Sequence, residues 1–153
     1  MSEKNIQIQS ILVPLDGSVV SEKALPWAVE MATQHQAEVI LLRVGRDPDI
    51  LEGEDLPSLH SFQKSQEAKC RSYLGKIKEA LPLPRVRIEY AAGIASQIIP
   101  EKARQLAVSL VIMNSHGRDG MSRWWMGSVA ERVTRRSPCP VLLVRDGPAG
   151  KQI

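Results

Sequence analysis

The sequence predicts an α/β fold, a single domain built on a five-stranded parallel sheet with helices on both faces. Three observations predict it. Short apolar runs of strand length alternate along the chain with segments of helical period. The 153 residues suffice for one core without disulfide or metal staples, and 43% hydrophobic with 24% charged residues is ordinary globular composition. Finally, the apolar run Leu110-Val111-Ile112-Met113 leads into Asn114-Ser115-His116-Gly117, and nine residues later Gly127-Ser128 opens a helix. A strand, a glycine-bearing turn and a helix start together make a cradle of free backbone N–H groups suited to phosphate.

Ser10 to Leu15 is an apolar run closed by the turn Asp16-Gly17-Ser18, a buried strand with its exit. From Val19 to His35 the residues Ala24, Leu25, Ala28, Val29 and Ala32 recur at helical spacing. Pro26 lies inside that pattern and predicts either a kink or a first-turn position. Glu38 to Val44 is a second buried strand, and Gly45 to Pro57 an acidic loop long enough to fold over a ligand. A polar helix from Ser58 to Ala80 is stopped by Leu81-Pro82-Leu83-Pro84. Arg85 to Ala91 alternates apolar and charged residues, as a half-exposed edge strand does. Ser96 to Ala107 is a helix carrying Pro100, Ser109 to Met113 the fourth strand, Val129 to Arg136 the last helix and Pro140 to Arg145 the fifth strand. Gly147 to Ile153 reads as a tail. The domain spans residues 1–153, with its core at about 8–146.

Strands joined by helices pair in parallel, through right-handed crossovers. Ligands of such sheets sit beyond the carboxyl ends of the strands, where strand order reverses. Asp16, Val44 and Met113-Asn114 all end strands and so open onto one edge. Their agreement carries more weight than any one of them.

Several function classes drop out. No apolar run approaches the about 20 residues that span a bilayer, and the N-terminal Met1-Ser2-Glu3-Lys4-Asn5-Ile6-Gln7 has no signal core. A net charge of +3 is mild and its cations are dispersed, while 4% aromatics give no stacking platform, so a nucleic-acid role has no support. Cys70 and Cys139 lack metal-like spacing and are expected to pack; two lone cysteines fit a reducing cytoplasm.

Each chemistry-bearing residue has a plain reading beside its functional one. Ser128 and Glu131 spell a capping box, so Ser128 is expected to cap the last helix while offering its hydroxyl proton outward. Gly117 and Gly127 are either turn glycines or close-approach points for phosphate, and Gly120 adds flexibility. Arg118 and Arg123 lie on the same loop within reach of a polyphosphate, or simply in solvent. Asp16 either builds the Asp-Gly-Ser turn or accepts from ribose hydroxyls. His116 is expected to hydrogen-bond within its turn, since His35 and His60 stand at no ligand-like spacing from it. Trp124-Trp125 is expected to anchor the glycine loop.

With these residues in view, the chain resembles the universal stress protein family from Ile11 to Arg145. The resemblance rests on Val13-Pro14-Leu15-Asp16-Gly17-Ser18, Ser21-Glu22-Lys23-Ala24-Leu25 and Val39-Ile40-Leu41-Leu42-Arg43-Val44. Most specific are Ser115-His116-Gly117-Arg118, Gly127-Ser128-Val129-Ala130-Glu131-Arg132-Val133 and Ser137-Pro138-Cys139-Pro140-Val141-Leu142-Leu143-Val144. It implies a Rossmann-like fold of the adenine nucleotide alpha hydrolase-like type. It also implies ATP, or AMP or ADP, as ligand, with Mg²⁺ or Mn²⁺ as companion ion. Asp16 would hold ribose, the backbone of Val44 would meet adenine, and Pro14 and Met113 would line the pocket. Gly117, Gly127, Ser128 and Val129 would hold phosphates. ATP-binding members carry glycine at the position of Asn114, so this chain departs from the pattern there. Asparagine tolerates left-handed backbone, which preserves the turn, but its side chain takes space where phosphate or ribose would approach. If it obstructs, Asn114→Gly tightens ATP binding. The family further implies a homodimer joined through Val141 to Val144. The leading expectation is a cytoplasmic regulatory module that acts on a protein partner; efficient ATP hydrolysis is not expected, because the sequence offers no evident metal pair and no base with an orienting partner, with Asp16 or His116 the candidate groups for slow turnover. The alternative is a member that binds no nucleotide and acts by protein contact.

Overall fold

A computed structural model describes residues 5–47, 56–116 and 126–145. Among these, five strands form one sheet: β1 (Ser10–Pro14), β2 (Glu38–Gly45), β3 (Val86–Ala92), β4 (Leu110–Asn114) and β5 (Val141–Val144). The helices are α1 (Val19–Glu22), α2 (Leu25–His35), α3 (Leu56–Ala80), α4 (Ala95–Gln105) and α5 (Ser128–Arg136). Every strand pairing is parallel and the order is β3-β2-β1-β4-β5. The chain therefore builds outward from β1 to β3, returns to the other side of β1, and builds outward again. The order reverses between β1 and β4, and their carboxyl ends flank the crevice such a reversal leaves.

Strands buried on both faces explain why the apolar runs are continuous. Ile11, Val13, Val39, Leu41 and Ile112 turn one way, onto Ala24, Ala28 and Ala32 at α2 and Leu74 of α3. Leu12, Ile40, Leu42, Val111 and Met113 turn the other way, onto Ile99 and Ala103 of α4 and Ala130 and Val133 of α5. Small alanines on the helices let them approach the sheet closely. Each fully buried aliphatic side chain contributes roughly 1.5–3 kcal/mol over its exposed state. The two edges behave as expected: β3 is only half-buried, and on β5 Val141, Leu142 and Leu143 are half-buried while Val144 is covered. No helix of the described residues is long and apolar enough to cross a membrane.

One expected helix is two. The segment from Val19 to His35 breaks at Lys23-Ala24, where the Lys23 N–H turns back to Val20 and Ser21 carbonyls. Pro26 then falls in the first turn of α2, where its missing N–H has no partner to lose. Pro100 lies inside α4 and is buried there. The fifth strand begins at Val141, one residue after the expected Pro140.

Candidate functional site

At the end of β1 the ladder runs one residue past Pro14, since the Leu15 N–H donates to the Leu42 carbonyl at 2.8 Å. Gly17 then turns the chain with φ +85°, a left-handed conformation that L side chains rarely adopt, and a Cβ there would stand 3.3 Å from Arg43 Nη2. Asp16 Oδ1 accepts the Ser18 N–H at 2.8 Å and the Ser18 hydroxyl as well. Ser18 caps α1 by accepting the Ser21 N–H at 3.1 Å, and Ser21 Oγ accepts the Asp16 N–H at 3.2 Å. The local-turn reading of Asp16 is thus observed. Its carboxylate is fixed in direction at the strand end.

At the end of β2, Arg43 reaches back to the Leu15 carbonyl at 3.4 Å. Asp16, Arg43, Val44, Gly45, Arg46, and Phe62, Gln66 and Cys70 of α3 line a cavity of about 420 Å³. Gly45 is glycine because a Cβ would overlap Tyr90 Oη and Gln66 Oε1 and stand 2.9 Å from Tyr90 Cε2. Those two side chains hydrogen-bond across the gap at 3.2 Å. Nearby, the Tyr73 hydroxyl donates to Glu22 Oε1 at 2.8 Å. Burial, and then that carboxylate, push the Tyr73 phenol far above its usual range, with Arg43 opposing and Asp16 adding slightly. The phenol is therefore a permanent neutral donor tying α3 to α1 beneath the Asp16 turn.

At the end of β4, Asn114 and Ser115 are buried. The Ser115 N–H donates to Val144 at 2.9 Å, and the Ser115 carbonyl accepts the Gly127 N–H at 2.8 Å, which joins strand end to helix start. His116 hydrogen-bonds within its turn as expected, its N–H to Asn114 Oδ1 at 2.9 Å and its Nδ1 to Ser115 Oγ at 3.1 Å. Asn114 is the last residue of β4 and has no left-handed backbone; among described residues only Gln36 and Ala107 combine positive φ with a side chain. Position 114 thus needs no glycine on conformational grounds.

The capping box is corrected. Gly127, extended at φ −61° and ψ 151°, is the N-cap of α5, and among the described residues no side chain caps the helix. Ser128 is the first helical residue and exposed, so the box frame is shifted by one. Glu131 then falls one position too late to reach back, and it pairs with Arg135 at 2.7 Å instead. Among the described residues no side chain accepts from the first-turn N–H groups of α5, at the positive end of its dipole.

Pro14, Val44 and Met113 share the α4/α5 face of the sheet: Val44 and Met113 pack with that cluster, and Pro14 follows Leu12 by the strand's period of two. Exposed Met126 and Val129 flank the start of α5, and exposed Ile94 caps α4 at the same edge. The described candidates therefore gather at one end of the sheet. Gly117, Gly120, Arg118, Arg123, Trp124 and Trp125 lie outside the described residues. Sequence reasoning missed Arg43, Phe62 and Gln66. The signal for Arg43 was available, a cation within an otherwise apolar buried strand. Among the described residues no group of three or more His, Cys, Asp or Glu side chains could hold a metal ion.

Residues 7–145 match the model of the universal stress protein family. The chain is 34% identical over 144 residues to the universal stress protein YxiE of Bacillus subtilis, covering 88% of this chain and 97% of that one. Universal stress protein UspA from Lactobacillus plantarum superimposes with a TM-score of 0.78 at 25% identity, over 92% of this chain and 100% of its own. A universal stress protein in complex with cAMP shares the fold at 22% identity and a TM-score of 0.66, over 92% of this chain and 99% of its own.

Proposed function

The chain belongs to the universal stress protein family, and from that premise we propose that it binds an adenine nucleotide at the carboxyl edge of its sheet, as a dimeric regulatory module without efficient turnover. The observation that carries the reading is the start of α5. A helix of nine residues, with no side-chain cap among the described residues, begins at the strand-order reversal, bonded to the end of β4. Among the described residues no side chain accepts from the first-turn N–H groups there, which is the electrostatics that favours a phosphate.

The chain's own residues divide the work. Gly127, Ser128 and Val129 present backbone N–H groups, and the exposed Ser128 hydroxyl adds a donor, with Gly117 the remaining glycine of the pattern. Asn114 ends β4, one residue before the carbonyl that accepts the Gly127 N–H. Pro14, Met113 and Val44 supply an apolar wall, and Val44 offers its strand-end backbone to the base. Asp16, held by its own turn, accepts from ribose hydroxyls. Mg²⁺ or Mn²⁺ would accompany ATP by neutralising phosphate charge. That the same fold holds cAMP in a solved relative supports an adenine ligand here. Dimerisation is assigned to β5, an edge strand whose Val141, Leu142 and Leu143 are only half-covered. A protein partner reads the loaded state, and the reading places the protein in the cytoplasm.

Calorimetric titration of nucleotide-stripped protein with Mg-ATP tests this. Saturable binding of one nucleotide per chain, with ADP and AMP competing, is the expected result. No heat at several temperatures and no competition would favour the member that acts by protein contact alone.

A further inference from the structure

Arg43 is the one cation on β2, and it touches both chain neighbours of Asp16. Its Nη1 donates to the Leu15 carbonyl at 3.4 Å. A Cβ built on Gly17 would stand 3.3 Å from Nη2, 3.5 Å from Cζ and 3.7 Å from Nη1. Distances so nearly equal to three atoms of one plane put Gly17 over the flat face of the guanidinium, a place that a side chain would crowd. The residue before Asp16 is thus held at its carbonyl, and the residue after it is seated on the same group. Leu15 is held at its N–H as well, by the carbonyl of Leu42, the residue before Arg43.

The bonds within the Asp16 turn do something different. Those from the Ser18 N–H to Asp16 Oδ1 and from the Asp16 N–H to Ser21 Oγ join residues of one short segment and set its shape. They would travel with the turn if it moved. Arg43 ties the turn to β2, and the next residue of β2 is Val44, whose backbone is the proposed meeting point for the base. One side chain therefore sets the spacing between the residue that accepts ribose and the residue that meets the base. Alternation along β2 turns Arg43, like Leu41, to the α2/α3 face, where Gln66 and Cys70 of α3 line the cavity with it. Val44 and Met113 pack on the opposite face, so Arg43 acts on the ligand through the turn.

We propose that Arg43 is a positioning residue for the ribose of the bound nucleotide: its guanidinium braces Leu15 and Gly17, so that the Asp16 carboxylate meets the sugar hydroxyls while the base lies on Val44. This rests on the nucleotide reading above and deepens it. A planar guanidinium offers donors at its edge and a broad face at once, which an ammonium group does not. An acceptor held in place before the ligand arrives spares part of the ordering cost of binding. The signature is selective. Arg43 serves the sugar hydroxyls alone, and a nucleotide that lacks them is indifferent to its loss.

The test is calorimetric titration of full-length wild type, Arg43→Met, Arg43→Lys and Asp16→Asn with AMP and, separately, with 2′,3′-dideoxy-AMP, each protein checked by its melting curve. Both ligands carry the same base and phosphate, so a lost attraction between cation and phosphate would weaken them equally. Wild type is expected to prefer AMP by about tenfold. In Arg43→Met that preference should fall to within about twofold, as in Asp16→Asn, while its affinity for dideoxy-AMP stays within about twofold of wild type. Arg43→Lys keeps the charge without the plane and should lose at least about threefold of the preference, which provides the reading if Arg43→Met does not fold. An undiminished preference in either folded Arg43 variant overturns the proposal. So does equal weakening of both ligands in Arg43→Met, which would mark a structural or purely electrostatic role. Wild type that binds both ligands alike overturns the ribose role of Asp16 and the proposal with it. Wild type that binds neither overturns the nucleotide reading itself, a failure distinguishable from these.

Discussion

Gly127→Asp is expected to abolish nucleotide binding while the fold keeps or slightly gains stability. Gly127 caps α5 with extended backbone that any residue adopts, so aspartate brings no backbone strain. Its carboxylate would accept first-turn N–H groups that no side chain of the described residues engages, the arrangement for which aspartate is among the preferred N-caps. The helix gains on the order of a few tenths of a kcal/mol over glycine. The phosphate loses those same donors and meets a negative charge in their place. Affinity should fall by at least about 100-fold, roughly 3 kcal/mol. Calorimetry with a melting curve of the same sample reads both effects. Unimpaired binding would mean that phosphate does not sit at α5.

Leu12→Ala has the largest expected effect on stability. Leu12 is fully buried on the central strand, between Ile40 and Val111 in the ladder, and packs with Ile99, Ala103, Ala130 and Val133. Shortening it leaves a cavity that neighbours held on both sides by the sheet fill poorly. A loss of about 2–5 kcal/mol follows, or roughly 5–20 °C in Tm for a domain of this size. Ile6, 84% exposed, is the control, with Ile6→Ala within about 0.5 kcal/mol of wild type. Chemical denaturation of both variants checks the contrast. Equal small losses would mean that the helices do not close on this face as described.

The architecture was legible because parallel strands covered on both sides must be apolar throughout. Leu12, Ile40 and Val111 announce themselves in a way no surface residue does. Edge strands were legible for the converse reason, as Arg87 and Glu89 alternate with Val86, Ile88 and Tyr90 on β3. The gathering of candidate residues was legible, since Asp16, Val44 and Asn114 lie at the carboxyl ends of β1, β2 and β4. Its details were harder. The start of α5 was misframed because Ser-x-x-Glu fits the capping pattern by spelling, whereas the cap is set by the backbone of Gly127, which extends just before the helix. The break at Lys23-Ala24 depends on where single N–H groups turn back, which helical periodicity does not encode. The cavity between β2 and α3 joins residues far apart in the chain. Only Arg43 betrayed it locally.

The central claim is that the ligand of this chain is an adenine nucleotide held at the carboxyl edge, and the most direct measurement is amide-resolved NMR of the folded protein as AMP is added. Signals of Gly127, Ser128 and Val129, with those of Asp16, Val44 and Asn114, are expected to move together and saturate. Ala37 and Ser109, at the opposite end of the sheet, should stay still. Shifts that leave the start of α5 untouched, or a spectrum unchanged by AMP, ADP and ATP alike, would contradict the account.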